Sequence, residues 1–112
     1  MDFVEGSNDG VLNGASEITL VAAPTSGVRR IVRSINIANT DTANVVLSVL
    51  LKNSTNERTI WKGTLTDGDT WQFGEAGDTL VLDSTSKSVV AFLSAAPATN
   101  NPEFSASYGD AS

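Results

Sequence analysis

The residues of this chain that could do chemistry are carboxylates, tryptophans and arginines. Acids are densest in "TDGDTWQFGEAGDT", residues 66–79. There Asp67, Asp69, Glu75 and Asp78 surround Trp71, and Gly-Asp-Thr occurs twice, nine residues apart. Carboxylate oxygens so close in sequence suit a hard cation such as calcium. An EF-hand loop also needs ligands at alternate positions over about twelve residues, a closing glutamate and flanking helices. This stretch does not meet that pattern. Asp-Gly and Gly-Asp are also what β-turns select, because glycine takes positive φ and aspartate bonds its own backbone. The expectation is two turns framing a short strand, Thr70–Phe73, with the carboxylates solvated at the turn tips.

A paired-acid hydrolase would need two carboxylates about 5–9 Å apart across a cleft. A chain of 112 residues leaves little room for one. There is no histidine and no cysteine. That excludes Ser-His-Asp and Cys-His arrangements, a thiolate nucleophile and Cys- or His-ligated zinc within one chain. No catalytic residue, metal or other cofactor is expected.

Trp61 and Trp71 flank the first turn and would lie side by side on a hairpin. Exposed, they would form a platform for a sugar ring or a receptor protein; buried, they would belong to the core. Arg29, Arg30 and Arg33 are three of the seven basic residues. Strand alternation puts Arg29 and Arg33 on the face of Ile31, Ile35 and Ile37, with Arg30 opposite. That gives no single basic stripe, and the net charge is −6, so no nucleic-acid partner is expected. An acidic protein surface suits these arginines better, including the N-terminal arm of a neighbouring copy.

The elements that would position these residues are short and β-rich. Runs at 17–22, 28–38, 45–52, 58–65, 70–73, 79–83, 88–94 and 104–109 alternate or concentrate Val, Ile and Leu, with turn clusters between them. No segment holds a helical apolar stripe. The expectation is one all-β domain over residues 17–112: an antiparallel β-sandwich or jelly-roll-like body of about eight short strands. Residues 1–16, "MDFVEGSNDGVLNGAS", show no sustained period and are rich in turn residues. They are expected to form an extended N-terminal arm whose Phe3, Val4, Val11 and Leu12 meet a partner. No apolar run approaches the ~20 residues that cross a membrane. The N-terminus lacks the basic start and apolar core of a signal peptide, so synthesis in the cytoplasm is expected.

The segments "RRIVRSINIANTDTANVVLSVLL", "WKGTLTDGDTWQF" and "GDTLVLDSTSKSVVAFLSA" together resemble a group of small tailed-bacteriophage virion proteins. The shared pattern runs through Ile31–Asn39, Val45–Leu51, Gly68–Thr70 and Gly77–Ala95, within residues 28–96. The resemblance implies a non-enzymatic virion structural protein with a β-sandwich or jelly-roll-like fold. Its simplest form is a capsid decoration (cement) protein bound to the major capsid protein through its arm and one β face. Neck, tail and fibre proteins share similar modules. The resemblance adds no catalytic residues. Decoration sites commonly sit on threefold axes, so a homo-oligomer, a trimer, is expected on the virion. Arg29, Arg30, Arg33 and Trp71 join the four arm residues as candidate protein contacts.

Overall fold

The computed structural model describes residues 3–74, 77 and 79–111, except for the Phe3 side chain. Nine strands are present among them: β1 (Phe3–Val11), β2 (Ile18–Val21), β3 (Arg29–Ala38), β4 (Val45–Asn53), β5 (Asn56–Leu65), β6 (Thr70–Phe73), β7 (Leu80–Leu82), β8 (Lys87–Leu93) and β9 (Glu103–Ala111). All the pairings are antiparallel. They make two sheets, ordered β1-β9-β3-β6 (sheet A, with β7 also on β3) and β2-β8-β4-β5 (sheet B).

Alternation explains the core. Along β4, Val45, Leu47 and Val49 turn inward; along β8, Val89, Ala91 and Leu93 do the same. They meet Val32, Ile35, Ile37, Phe104 and Ala106 from sheet A. Burying such a side chain contributes about 1.5–3 kcal/mol.

Two local features depart from the sequence-based expectation. The first is in β3. Its pairing with β9 jumps from Val32↔Tyr108 to Ser34↔Ser107, leaving Arg33 as an extra residue. This bulge reverses the alternation, so Val32, not Ile31, shares the core face with Ile35 and Ile37. The second is residues 3–11. Expected to be irregular, they form a strand paired with β9 without a break, from Phe3↔Ala111 to Val11↔Glu103. Leu12 follows and is fully buried.

The glycines that argued against a strand are what let this one dock. Gly6 lies opposite Tyr108 and Gly10 opposite Phe104. A Cβ on Gly6 would sit 2.6 Å from the Tyr108 ring; one on Gly10 would sit 3.0 Å from Phe104. The rings cover the glycines across the strand pair. Tyr108 is not free to swing away, because the Arg30 guanidinium stacks 4.1 Å from its ring centre. Gly6→Ala is therefore expected to cost about 1–3 kcal/mol of stability by overpacking. Urea unfolding would measure it; a substitution neutral within error would mean that the ring does not hold β1.

Candidate functional site

The acidic stretch begins with a turn over residues 66–69. The Asp69 N–H donates to the Thr66 carbonyl at 3.0 Å, and Gly68 takes φ +85° at the corner. Positive φ at the third residue is what a type II turn requires. The Asp69 carboxylate accepts the Thr66 N–H at 3.1 Å and a bond from the Thr66 hydroxyl. These bonds, the hydroxyl's first, hold Asp69 below the usual carboxylate range. Asp69 thus turns its Oδ2 onto its own turn. Glu75 and Asp78 lie outside the described residues. Farther on, the Gly77 N–H donates to the Gly74 carbonyl at 3.1 Å.

The strongest electrostatic site was not apparent in the sequence. Asn39 and Asp41, in a segment that looked like a plain loop, are 2% and 1% exposed. The Asp41 carboxylate accepts four backbone N–H groups: Thr42 at 2.9 Å, Ala98 at 2.8 Å, Thr99 at 2.8 Å and Asn100 at 3.1 Å. These bonds, led by that from Asn100, lower its pKa to about 2 against the opposing effect of desolvation. Asn39 completes the node. Its side-chain carbonyl accepts the Asp41 N–H, and its amide donates to the Ala43 and Leu65 carbonyls. Its backbone joins the 66–69 turn through Asp69 and Gly68. The one sequence signal was Asn-x-Asp after an apolar strand, an Asx-turn composition.

The tryptophans stack on each other. Their ring centres are 5.8 Å apart with planes at 30°. Both are half-buried and pack on the core, Trp61 from β5 and Trp71 from β6. The pair closes one flank of the sandwich, where the ends of the two sheets meet. The arginines separate. Arg30 makes a bidentate pair with Asp110, at 2.7 and 3.0 Å, and donates to the Ala22 carbonyl at 2.8 Å. That pair raises the Arg30 pKa and lowers the Asp110 pKa, the mutual hydrogen bond leading in each case. Arg33 reaches Glu5 of its own β1 at 3.3 Å. Arg29 is exposed.

The N-terminal candidates also divide. Leu12 is core, whereas Val4 is 62% exposed and Val11 43%. A further apolar group lies on the outer face of sheet B. Leu50 pairs with Val90, Val90 with Thr19, and Leu50 with Thr59, giving one row across all four strands. Val46 and Phe92 stand on the same face by alternation. Around the row are Lys62, Glu57 and a Lys52–Glu17 ion pair at 2.9 Å. The sequence marked these strands but not the two-sided apolar character of β4 and β8.

No family model matches this chain, and no curated protein matches it. Among solved structures, it is similar to one from the Bacillus endospore appendages that form a novel family of disulfide-linked pili. That match has 13% identity and a TM-score of 0.55, covering 96% of this chain and 85% of that one. Two structures of infectious bursal disease virus, strains Gx and Gt, align at TM-scores of 0.37 and 0.31, with 15% and 16% identity. They cover 97% and 98% of this chain, which spans 29% and 30% of theirs. Likeness at these identities concerns fold alone.

The Asp41 node predicts an acid response. The folded carboxyl titrates near 2, below its ordinary 3.8, so the unfolded chain takes up the proton first as pH falls. This stabilisation is complete above the ordinary value and is lost as pH drops through about 2. In Asp41→Asn, an amide NH₂ must face a backbone N–H whichever way it turns. The variant is expected to be less stable at neutral pH and to lose less on acidification. Urea midpoints against pH test this; parallel curves for the two proteins would contradict it.

Proposed function

We propose that this chain is a non-enzymatic structural protein of a tailed-phage virion, a capsid decoration protein that binds and stabilises the head shell. The observation that carries the reading is the outer face of sheet B. There half-buried Leu50, Val46 and Phe92 surround Val90, itself 3% exposed, with Thr19 and Thr59 at the ends of the row and a charged rim outside it. Protein interfaces have that anatomy.

Three further features support it. The sheet orders β1-β9-β3-β6 and β2-β8-β4-β5 fit a jelly roll, an architecture used by viral capsid domains. The chain lacks histidine and cysteine, and the Asp69 carboxylate bonds the backbone of its own turn. The segments at 28–96 resemble virion proteins. The pilus structure with which it shares a fold adds that such a body serves in an extracellular assembly. Disulfide linkage cannot apply to this cysteine-free sequence. Neck, tail or fibre attachment would use the same face on a different part of the particle.

Co-sedimentation with phage heads stripped of decoration protein tests the reading. The wild-type chain is expected to pellet with the heads. Leu50→Ser with Phe92→Ala, folded by circular dichroism, is expected to bind about tenfold more weakly or worse. A wild-type chain that stays in the supernatant, or a double variant that binds equally, would overturn it.

A further inference from the structure

The strand edges of this sandwich are unequal. Sheet A ends on one flank with β1 and on the other with β6 and β7; sheet B ends with β2 and β5. Three of these edge strands are short: β2 and β6 have four residues and β7 three. Strand β2 is also bulged, and the Asn8 side chain donates to its Thr19 and Leu20 carbonyls at 3.3 and 3.1 Å. Short length, bulges and occupied carbonyls are how proteins protect an edge.

Strand β1 has little such protection, and β5 has one bulge, at Ile60, where Val49↔Trp61 gives way to Leu50↔Thr59. They have nine and ten residues, and neither contains proline. Among the described residues neither has a second neighbour. The direction of the open groups on β1 follows from one bond. The Leu12 N–H donates to Pro102, continuing the β1–β9 register. Hydrogen-bonded pairs alternate along an antiparallel ladder. The N–H and C=O groups of Gly6, Asn8 and Gly10 therefore face β9, and those of Glu5, Ser7, Asp9 and Val11 face outward. Val4 and Val11, the exposed large hydrophobics among the described residues, stand near the two ends of this edge.

The two edges differ in charge and in place. Strand β1 carries Glu5 and Asp9 and no base; β5 carries Arg58 and Lys62 against Glu57. Pairing β1 with β1 would gather acids, and β5 with β5 would gather bases. Strand β1 runs beside β2 on one flank, whereas β5 meets β6 through the tryptophan stack on the other. We propose that copies of this chain join head to tail, the outer edge of β1 in one copy pairing with β5 of the next. Each copy then has one donor and one acceptor flank. A contact of this kind closes into a ring where the rotation allows and otherwise extends as a filament. The outer face of sheet B stays uncovered for a particle partner. The inference rests on the edges alone, so it stands or falls apart from the decoration reading.

Sedimentation velocity over a concentration series, at low and high salt, tests it on the full chain. Wild type is expected to grow in mass with concentration, and less so at high salt. Ser7→Pro removes an outward N–H and leaves the β9 ladder intact; it is expected to sediment as a monomer. Two charge variants give a second route should proline disturb the fold. Asp9→Lys alone, and Arg58→Glu with Lys62→Glu alone, are each expected to lose association, and mixing the two to restore it. A wild type that is monomeric throughout, a folded Ser7→Pro that associates normally, or a mixture that stays monomeric would each overturn the proposal. A monomeric wild type that still pellets with phage heads would overturn edge pairing and leave the decoration reading intact. An associating wild type that ignores heads would do the reverse.

Discussion

The carboxylate of Asp41 gathers the N–H groups of Ala98, Thr99 and Asn100, and this loop delivers the last strand of the chain. Strand β9 lies between β1 and β3, so sheet A has no centre until it docks. The next residues are held too. The Thr40 hydroxyl donates to the Asn101 carbonyl, and the Leu12 N–H donates to Pro102. One buried anion thus fixes the entry of β9, and β9 in turn fixes β1. Asn39 ties the same node to the end of β5 and to the Thr66–Asp69 turn. Loops from both sheets meet at this end of the sandwich, and their backbone groups are satisfied by two side chains. A charge this enclosed is tolerable because its hydrogen bonds replace the water it lost.

Much of the body could be read directly from residue pattern. β-branched alternation located β2 to β9 within a few residues, and glycine with aspartate marked the turn at Gly68. What failed did so for identifiable reasons. Period-two reasoning assumes an unbroken ladder, and the bulge at Arg33 moved Ile31 off the core face and Val32 onto it. Glycine in β1 looked like a turn signal because the compensating atoms, the rings of Phe104 and Tyr108, lie about a hundred residues away. Asp41 carried no signal of its own because its donors come from the far end of the chain. The outer apolar group was hidden because Val46, Leu50, Val90 and Phe92 alternate with inward residues that are also apolar. Each miss is a long-range effect that local propensity cannot carry.

The surface follows from the same construction. Sheet B offers an apolar face inside a charged rim, and sheet A offers a long acidic edge. Arg33 reaches the acidic β1 of its own chain through Glu5. Trp71 likewise stacks on Trp61 and seals a flank. What remains outward on β1 is backbone, with Val4 and Val11 near its ends. A strand in that condition is an incomplete sheet, and a matching strand would complete it.

Amide hydrogen exchange along β1 tests this account most directly. In dilute protein, Gly6, Asn8 and Gly10 should exchange slowly because they face β9, while Glu5, Ser7, Asp9 and Val11 exchange fast. Raising the protein concentration should slow the second set toward the first. Uniformly fast exchange from Glu5 to Val11 would mean that β1 is not docked. An alternating pattern indifferent to concentration would mean that its outer edge receives no second copy.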